Sequence, residues 1–178
     1  MDRKLTMDEL GRVDAVVYRA MAKQPTTVVL DDVRSRHNVG SLFRTADAFG
    51  LERLVLGGFT PCPPHREIEK TALGATLSVP WEHAATALEA VERLKRAGYR
   101  VVSVEQTVRA VPLDAWRPGP WEKLAVVFGN ELSGVSDPVI AASDACVVVP
   151  QTGTKHSLNV SVCAGIVLWH IVQGRNHL

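Results

Sequence analysis

Short apolar runs separated by stretches of helical spacing limit what this chain can fold into. Thr26–Leu30, Arg53–Gly57, Tyr99–Val104, Leu124–Phe128 and Ala145–Val149 are too short for ordinary helices. They are almost continuously apolar and β-branched, as strands buried on both faces are. Between the first two, a helix is expected from about Val39, with Leu42, Phe43, Ala46 and Phe49 on its apolar stripe and Gly50 as its stop. Strand, helix and strand in succession favour parallel pairing, because the helix returns the chain to the same end of the sheet. The expected class is α/β, a mostly parallel sheet flanked by helices.

The remaining segments fill in around that frame. Residues up to about Gln24 place Leu10, Val13, Val16, Val17 and Ala20 on one side, and Pro25 ends the pattern. We expect residues 1–25 to form a helical appendage packed on a main domain of residues 26–178. Phe59 to Pro80 is proline-rich and irregular, with a short helix at Glu67–Ala72. A further helix is expected at Ala84–Ala97, with Leu88, Val91 and Leu94 inward and Gly98 as stop. A loop with Trp116, Pro118, Pro120 and Trp121 precedes the fourth run, and Asp137–Ser143 is a short helix. After Pro150 comes a polar loop containing Gly153, Lys155 and His156. Ser157 has the chemistry of an N-cap for a helix that, from Leu158, is apolar on nearly every side and is expected to be buried all round. Asn159 is the anomaly. An amide in the first turn of a buried helix needs partners or costs about 1–3 kcal/mol.

Composition excludes more than it selects. A formal net charge of +1 over 178 residues means that any nucleic-acid role rests on local clusters. Cys62, Cys146 and Cys163 have no CxxC spacing and read as small buried hydrophobes in a reducing compartment, so no metal site is expected. The opening Met-Asp-Arg-Lys has no signal-peptide core, and the run Val160–Val172 is too short to span a bilayer. The expectation is a cytoplasmic protein without a membrane partner.

In an open parallel sheet, ligands gather at loops leaving the carboxyl ends of strands. Three such loops carry unusual polar residues: Asn38 with Arg44, Gly129 to Gly134, and Gln151 to Asn159, while Glu105 and Gln106 form a fourth. Singly, each reads as an ordinary turn or solvated surface. No GxGxxG follows the first strand, which disfavours a dinucleotide site.

Taken in order, Asn38-Val-Gly-Ser-Leu-Phe-Arg44-Thr45, Phe128-Gly-Asn-Glu131-Leu-Ser-Gly134, and Val149-Pro150 with Gly153 and Ser157-Leu-Asn159-Val-Ser closely resemble the three signature motifs of the SpoU/TrmH family of RNA ribose methyltransferases, in the SPOUT class. The intervening Thr71-Ala-Leu-Gly-Ala and Val79-Pro-Trp-Glu82 look like that family too.

The resemblance implies a C-terminal deep trefoil knot, which sequence rules alone argue against. It implies a homodimer interface on the last helix and S-adenosylmethionine bound through Glu105, Gln106, Gly129, Val149, Gly153 and Leu158. The implied reaction is methyl transfer to a ribose 2′-hydroxyl of tRNA or rRNA, with catalytic positions Asn38, Arg44, Glu131, Ser157 and Asn159. A guanidinium rarely gives up its proton. Arg44 is therefore expected to hold a phosphate and stabilise the developing alkoxide, with Asn38 orienting it or the ribose and Glu131 pairing with it or positioning it. Arg34, Arg36, His37, Arg66 and Lys155, with Arg44, His65, Lys70 and His156, sit on loops that could form one phosphate-contacting rim. RNA, not DNA, is the expected partner. The alternatives are a base methyltransferase of the same class and a non-catalytic RNA-binding or assembly factor.

Overall fold

The computed structural model describes residues 2–6, 8–119 and 122–176. In chain order the elements are α1 (Ala15–Ala20), β1 (Gln24–Asp31), α2 (Arg36–Ala48), β2 (Leu51–Gly57), α3 (Arg66–Ala72), α4 (Ala75–Ser78) and β3 (Trp81–Ala84). They continue as α5 (Ala87–Arg96), β4 (Arg100–Val104), β5 (Val111–Pro112), β6 (Leu124–Phe128), α6 (Asp137–Ala142), β7 (Ala145–Val148) and α7 (Val160–Asn176).

The strands form one sheet in the order β3-β2-β1-β6-β4-β7-β5, and every neighbouring pair is parallel. Side chains alternate faces along each strand. Val28, Leu30, Leu54, Leu56, Val126 and Phe128 join the core beneath α2, α3 and α7. Val29, Val55, Val101, Ala125 and Val127 join the opposite core beneath α5 and α6. Burying each such side chain contributes about 1.5–3 kcal/mol. Helices on both faces explain why the central strands read as unbroken apolar runs.

Several expected boundaries shift. Ser35 caps α2 by accepting the Asn38 N–H at 3.3 Å, so Arg36, His37 and Asn38 are helical rather than loop. Thr86 caps α5 by accepting the Glu89 N–H at 3.1 Å, which starts that helix at Ala87 and leaves Trp81–Ala84 as an edge strand. The two-residue β5 pairs with β7 and was also not visible in the pattern. Pro25 lies inside β1, and only Ala15–Ala20 of the N-terminal segment is helical. Its apolar stripe does not face the body: Val16 is 79% exposed, and Leu10, Val13 and Val17 are also exposed. The segment is held instead by the Tyr18 hydroxyl donating to the Asp47 carbonyl at 2.7 Å. The loop residues Pro120 and Trp121 lie outside the described residues. All three cysteines are half-buried rather than fully buried. Among the described residues, no helix is long and apolar enough to cross a membrane.

α7 departs from all-round burial. Ala164, Val167, Leu168 and Ile171 are inside, while Val162, Ile166 and Trp169 stay exposed in the single chain. Trp169 leans on Phe49 of α2, with ring centroids 5.8 Å apart.

The tightest helix contact is between α2 and α3. A Cβ on Gly40 would stand 2.0 Å from the Thr71 hydroxyl and 2.3 Å from the Ile68 carbonyl, while Thr71 donates to the His37 carbonyl at 3.1 Å. The Ile68 carbonyl is backbone and cannot rotate away. Gly40→Ala should therefore destabilise the chain by about 1–3 kcal/mol, roughly 5 °C in a thermal melt. A melt within about a degree of wild type would show that α2 and α3 can separate at little cost.

Candidate active site

The loops that leave β1, β4, β6 and β7 meet at the carboxyl edge of the sheet. Asn130 opens the loop after β6 and pairs through its backbone with Gly134, each N–H donating at 2.9 Å. Its side chain donates to the Asp32 carbonyl at 2.7 Å and accepts from the Leu132 N–H at 2.9 Å. The buried Asp31 accepts the Ser136 N–H at 2.8 Å. The loop after β6 is thus clamped to the end of β1. Gly129 is required by close approach, since a Cβ there would stand 2.1 Å from backbone atoms of Gly134 and Val135. Glu105, after β4, accepts from the Val135 N–H at 2.9 Å and the Gln106 N–H at 2.8 Å. Gln106 in turn donates to the His156 carbonyl at 2.5 Å, tying in the loop after β7.

A chain of side-chain hydrogen bonds crosses this junction. The Glu131 carboxylate accepts the backbone N–H groups of Arg34 and Ser35, both at 3.0 Å, and the Asn38 side-chain amide at 2.9 Å. The Asn38 carbonyl oxygen accepts from Asn159 at 3.2 Å. The Asn159 oxygen closes the chain on α7, accepting from the Ser161 N–H at 2.9 Å and its hydroxyl at 2.7 Å. Asn159, not Ser157, is therefore the cap. The helix starts at Val160, two residues later than its apolar pattern suggested, and Asn159 is exposed, so its amide caps the helix without the burial cost expected of it.

The loops enclose a cavity of about 540 Å³, within the usual range for a small-molecule site. Its walls include Glu105, Gln106, Gly129, Val149 and Leu158 of the expected cofactor positions, with Glu131, Ser157 and Asn159 of the expected catalytic ones. Asn38 stands behind Glu131 and Asn159 and is buried. Two expected positions fall elsewhere. Gly153 lies on the exposed outer loop, where a Cβ would meet nothing within 4 Å. Arg44 is exposed on α2, off the cavity wall, and among the described residues its side chain makes no hydrogen bond or ion pair. The expected Arg44–Glu131 pair is not formed, because backbone and Asn38 donors occupy that carboxylate. Asp47, the other acid near Arg44, instead accepts the Ser78 hydroxyl at 2.5 Å.

Of the expected RNA-facing residues, Arg34 and Arg36 line a second, adjoining cavity. Arg66 and His37 are exposed in the first turns of α3 and α2, and Lys155 is exposed on the loop after β7. Sequence reasoning missed Val104, Val148 and Cys163 as wall residues. All three are apolar in character and carried no signal apart from core.

The cavity is acidic. Glu105 and Glu131 line it, and no lysine or arginine does. Burial and the nearby Glu105 charge push the Cys163 thiol up to about 11, so it is not a nucleophile at neutral pH. Burial pushes the Glu131 carboxyl up, but the Arg34 N–H, the Asn38 amide and the Ser35 N–H outweigh it and hold the group below its ordinary value.

A model of the SpoU rRNA Methylase family matches residues 25–169. The chain belongs to that family. It is 28% identical over 152 residues to the 23S rRNA (guanosine-2′-O-)-methyltransferase RlmB of Neisseria meningitidis, a match covering 86% of this chain and 60% of that one. The TrmH/SpoU tRNA modifying enzyme of A. aeolicus superposes with a TM-score of 0.79 at 26% identity, over 92% of this chain and 81% of that one. An AdoMet-bound rRNA methyltransferase from Sinorhizobium meliloti superposes with a TM-score of 0.77 at 30% identity, over 90% and 60%. Curated relatives are longer, and this chain spans between 59% and 68% of four of them.

A carboxyl held low in the folded chain contributes stability above its unfolded pKa of about 4.3. That contribution is lost as pH falls through the lower folded value. Wild type should therefore exceed Glu131→Gln in unfolding free energy by about 1 kcal/mol at pH 7, a modest figure because the residue is exposed to solvent screening, and the difference should shrink as the pH falls to about 3. Urea titrations at both pH values check this; an undiminished difference in acid would mean that the Glu131 charge does not hold the junction.

Proposed function

We propose that the chain is an S-adenosylmethionine-dependent RNA methyltransferase, transferring a methyl group to a ribose 2′-hydroxyl of tRNA or rRNA in the cytoplasm. The observation that carries this reading is the cavity walled by the loops after β4, β6 and β7, with Asn38 of the first motif hydrogen-bonded behind two of its wall residues. Its chemistry suits the group. Acidic lining without lysine or arginine favours a sulfonium cation and disfavours a phosphate-bearing nucleotide. Val149 and Leu158 offer apolar surface for an adenine, and the Gly129 turn brings backbone polar groups to the wall. Bound there, AdoMet supplies an activated methyl group and its own leaving group, so no metal is invoked.

The chain's own residues hold that site and present the nucleophile. Glu131, Asn38 and Asn159 fix the loops relative to one another. Ser157 is on the wall with its hydroxyl free of protein partners among the described residues, available to a ribose hydroxyl. Arg44 acts from the RNA side. Its exposed guanidinium pairs with a phosphate and stabilises charge on the attacking oxygen, which is more consistent with its permanent charge than a role as base. The ribose reading also draws support from the 2′-O activity in the name of the Neisseria relative.

Two further elements belong to this proposal. The exposed Val162, Ile166 and Trp169 face of α7 is the homodimer surface. The trefoil knot is supported by the sheet order, in which β6 inserts between β1 and β4, and β7 between β4 and β5.

Titration calorimetry with AdoMet should give binding to wild type and to Arg44→Ala, and none to Gly129→Val, whose added side chain displaces the wall. In methylation assays on RNA from a deletion strain, Arg44→Ala should lose about 10²–10³-fold in rate. Near wild-type turnover by Arg44→Ala would remove it from the mechanism. Absence of AdoMet binding by wild type would favour the assembly-factor alternative.

A further inference from the structure

A second cavity, of about 730 Å³, opens beside the first. The two share Asn130, Leu132 and Ser133 as a common wall. The rest of the second lining includes Arg34, Arg36, Phe59 and Asp32. Phe59 is 90% exposed and Leu132 85%.

A single exposed apolar side chain needs no explanation, but Phe59 differs in its mounting. Asp32 adopts a φ of 54°, left-handed backbone that aspartate enters more readily than most non-glycine residues. Its carboxylate accepts the Phe59 N–H at 2.7 Å. On one side the Gly58 N–H donates to the Ala84 carbonyl at 3.1 Å, and the Gly58 carbonyl meets His83 Nε2 at 2.9 Å. On the other, the Thr60 hydroxyl accepts the Val33 N–H at 3.1 Å. The main chain is fixed on both sides of a ring left in solvent. Such a platform suits a partner that brings its own flat face.

Cations stand beside it. Among the described residues Arg34 has no side-chain partner, and its backbone N–H is held by Glu131. Arg36 is paired only with Glu67, at 3.8 Å, with both side chains about half exposed. An exposed aromatic and two available guanidiniums are the elements that hold unpaired nucleotides, through stacking and phosphate pairing.

We propose that this cavity is the subsite for an unpaired nucleotide of the RNA, its base stacked on Phe59 and its flanking phosphates paired by Arg34 and Arg36. The proposal rests on the methyltransferase reading, and the shared wall gives it its consequence. A base seated on Phe59 leaves its ribose next to the Asn130–Ser133 turn, at the boundary with the cofactor cavity. The Asp32 carboxylate favours the base, not a phosphate, at that end. Stacking tolerates any base, so Phe59 sets position rather than sequence.

The test uses the full chain with fluorescein-labelled tRNA and a labelled short mixed-sequence oligoribonucleotide, read by anisotropy, and AdoMet binding by calorimetry on the same preparations. Phe59→Ala should weaken RNA binding about tenfold with AdoMet affinity unchanged, which also reports that the variant is folded. Phe59→Trp should keep RNA affinity and show added tryptophan quenching on RNA binding, which a purely structural role would not produce. Arg34→Ala should reduce the slope of log Kd against log salt by about one. RNA binding at wild-type strength by Phe59→Ala, or no added quenching in Phe59→Trp, overturns the subsite. Wild type that binds neither RNA nor AdoMet overturns the function beneath it, a distinguishable result.

Discussion

The short hydrogen-bonded chain Glu131–Asn38–Asn159 is the constraint on which the rest of the site depends. Its links join residues 93 and 121 positions apart in sequence, and they end on the N-terminus of α7. Each member has little other reason to be where it is. Asn38 is a buried amide inside a helix, Glu131 gathers three donors on one carboxylate, and Asn159 caps a helix with one end while holding Asn38 with the other. Removing Glu131 or Asn159 leaves the buried Asn38 amide short of a partner, which costs more than the bond itself contributes. The junction is fixed as a unit.

The sheet explains why these loops meet at all. All its neighbouring strands are parallel, so the loops after β1, β4, β6 and β7 leave from the same edge, and β6 and β4 lie side by side at its centre. Apolar side chains on both faces make the strands rigid, while the edge is left to polar residues. From that arrangement follow two adjoining cavities of different character. One is acidic and enclosed by Glu105 and Glu131; the other is bordered by arginines and an exposed ring. Under the proposed function a cationic methyl donor and a polyanionic acceptor have those opposite requirements, and the turn Asn130–Ser133 lies between the two cavities.

Much of this was legible in the sequence. Strands β1, β2, β4, β6 and β7 announced themselves because their apolar runs are nearly continuous, and the motif loops were readable as polar punctuation after strands. What escaped detection has physical causes. β3 and β5 are short and lie at or near the sheet edge, where half-exposed residues break the apolar pattern. Ser157 and Asn159 are comparable caps by chemistry, and only the tertiary bond to Asn38 decides between them. An Arg44–Glu131 pair was a reasonable guess from charge, but Ser35 starts α2 early, and that turn presents backbone donors to the carboxylate first. The last helix is apolar on every side, yet periodicity cannot say whether the outer face meets this chain or another. Phe59 carried no signal, because a lone aromatic in a proline-rich loop resembles any loop residue until its backbone anchors are seen.

The central claim is that the junction delivers a methyl group to a ribose. RNA from a strain lacking this gene, incubated with the chain and AdoMet labelled in the methyl group, then digested to nucleosides, tests it most directly. The account predicts label in a 2′-O-methylated nucleoside, with the base released unlabelled on acid hydrolysis. Label that stays with the base would contradict it.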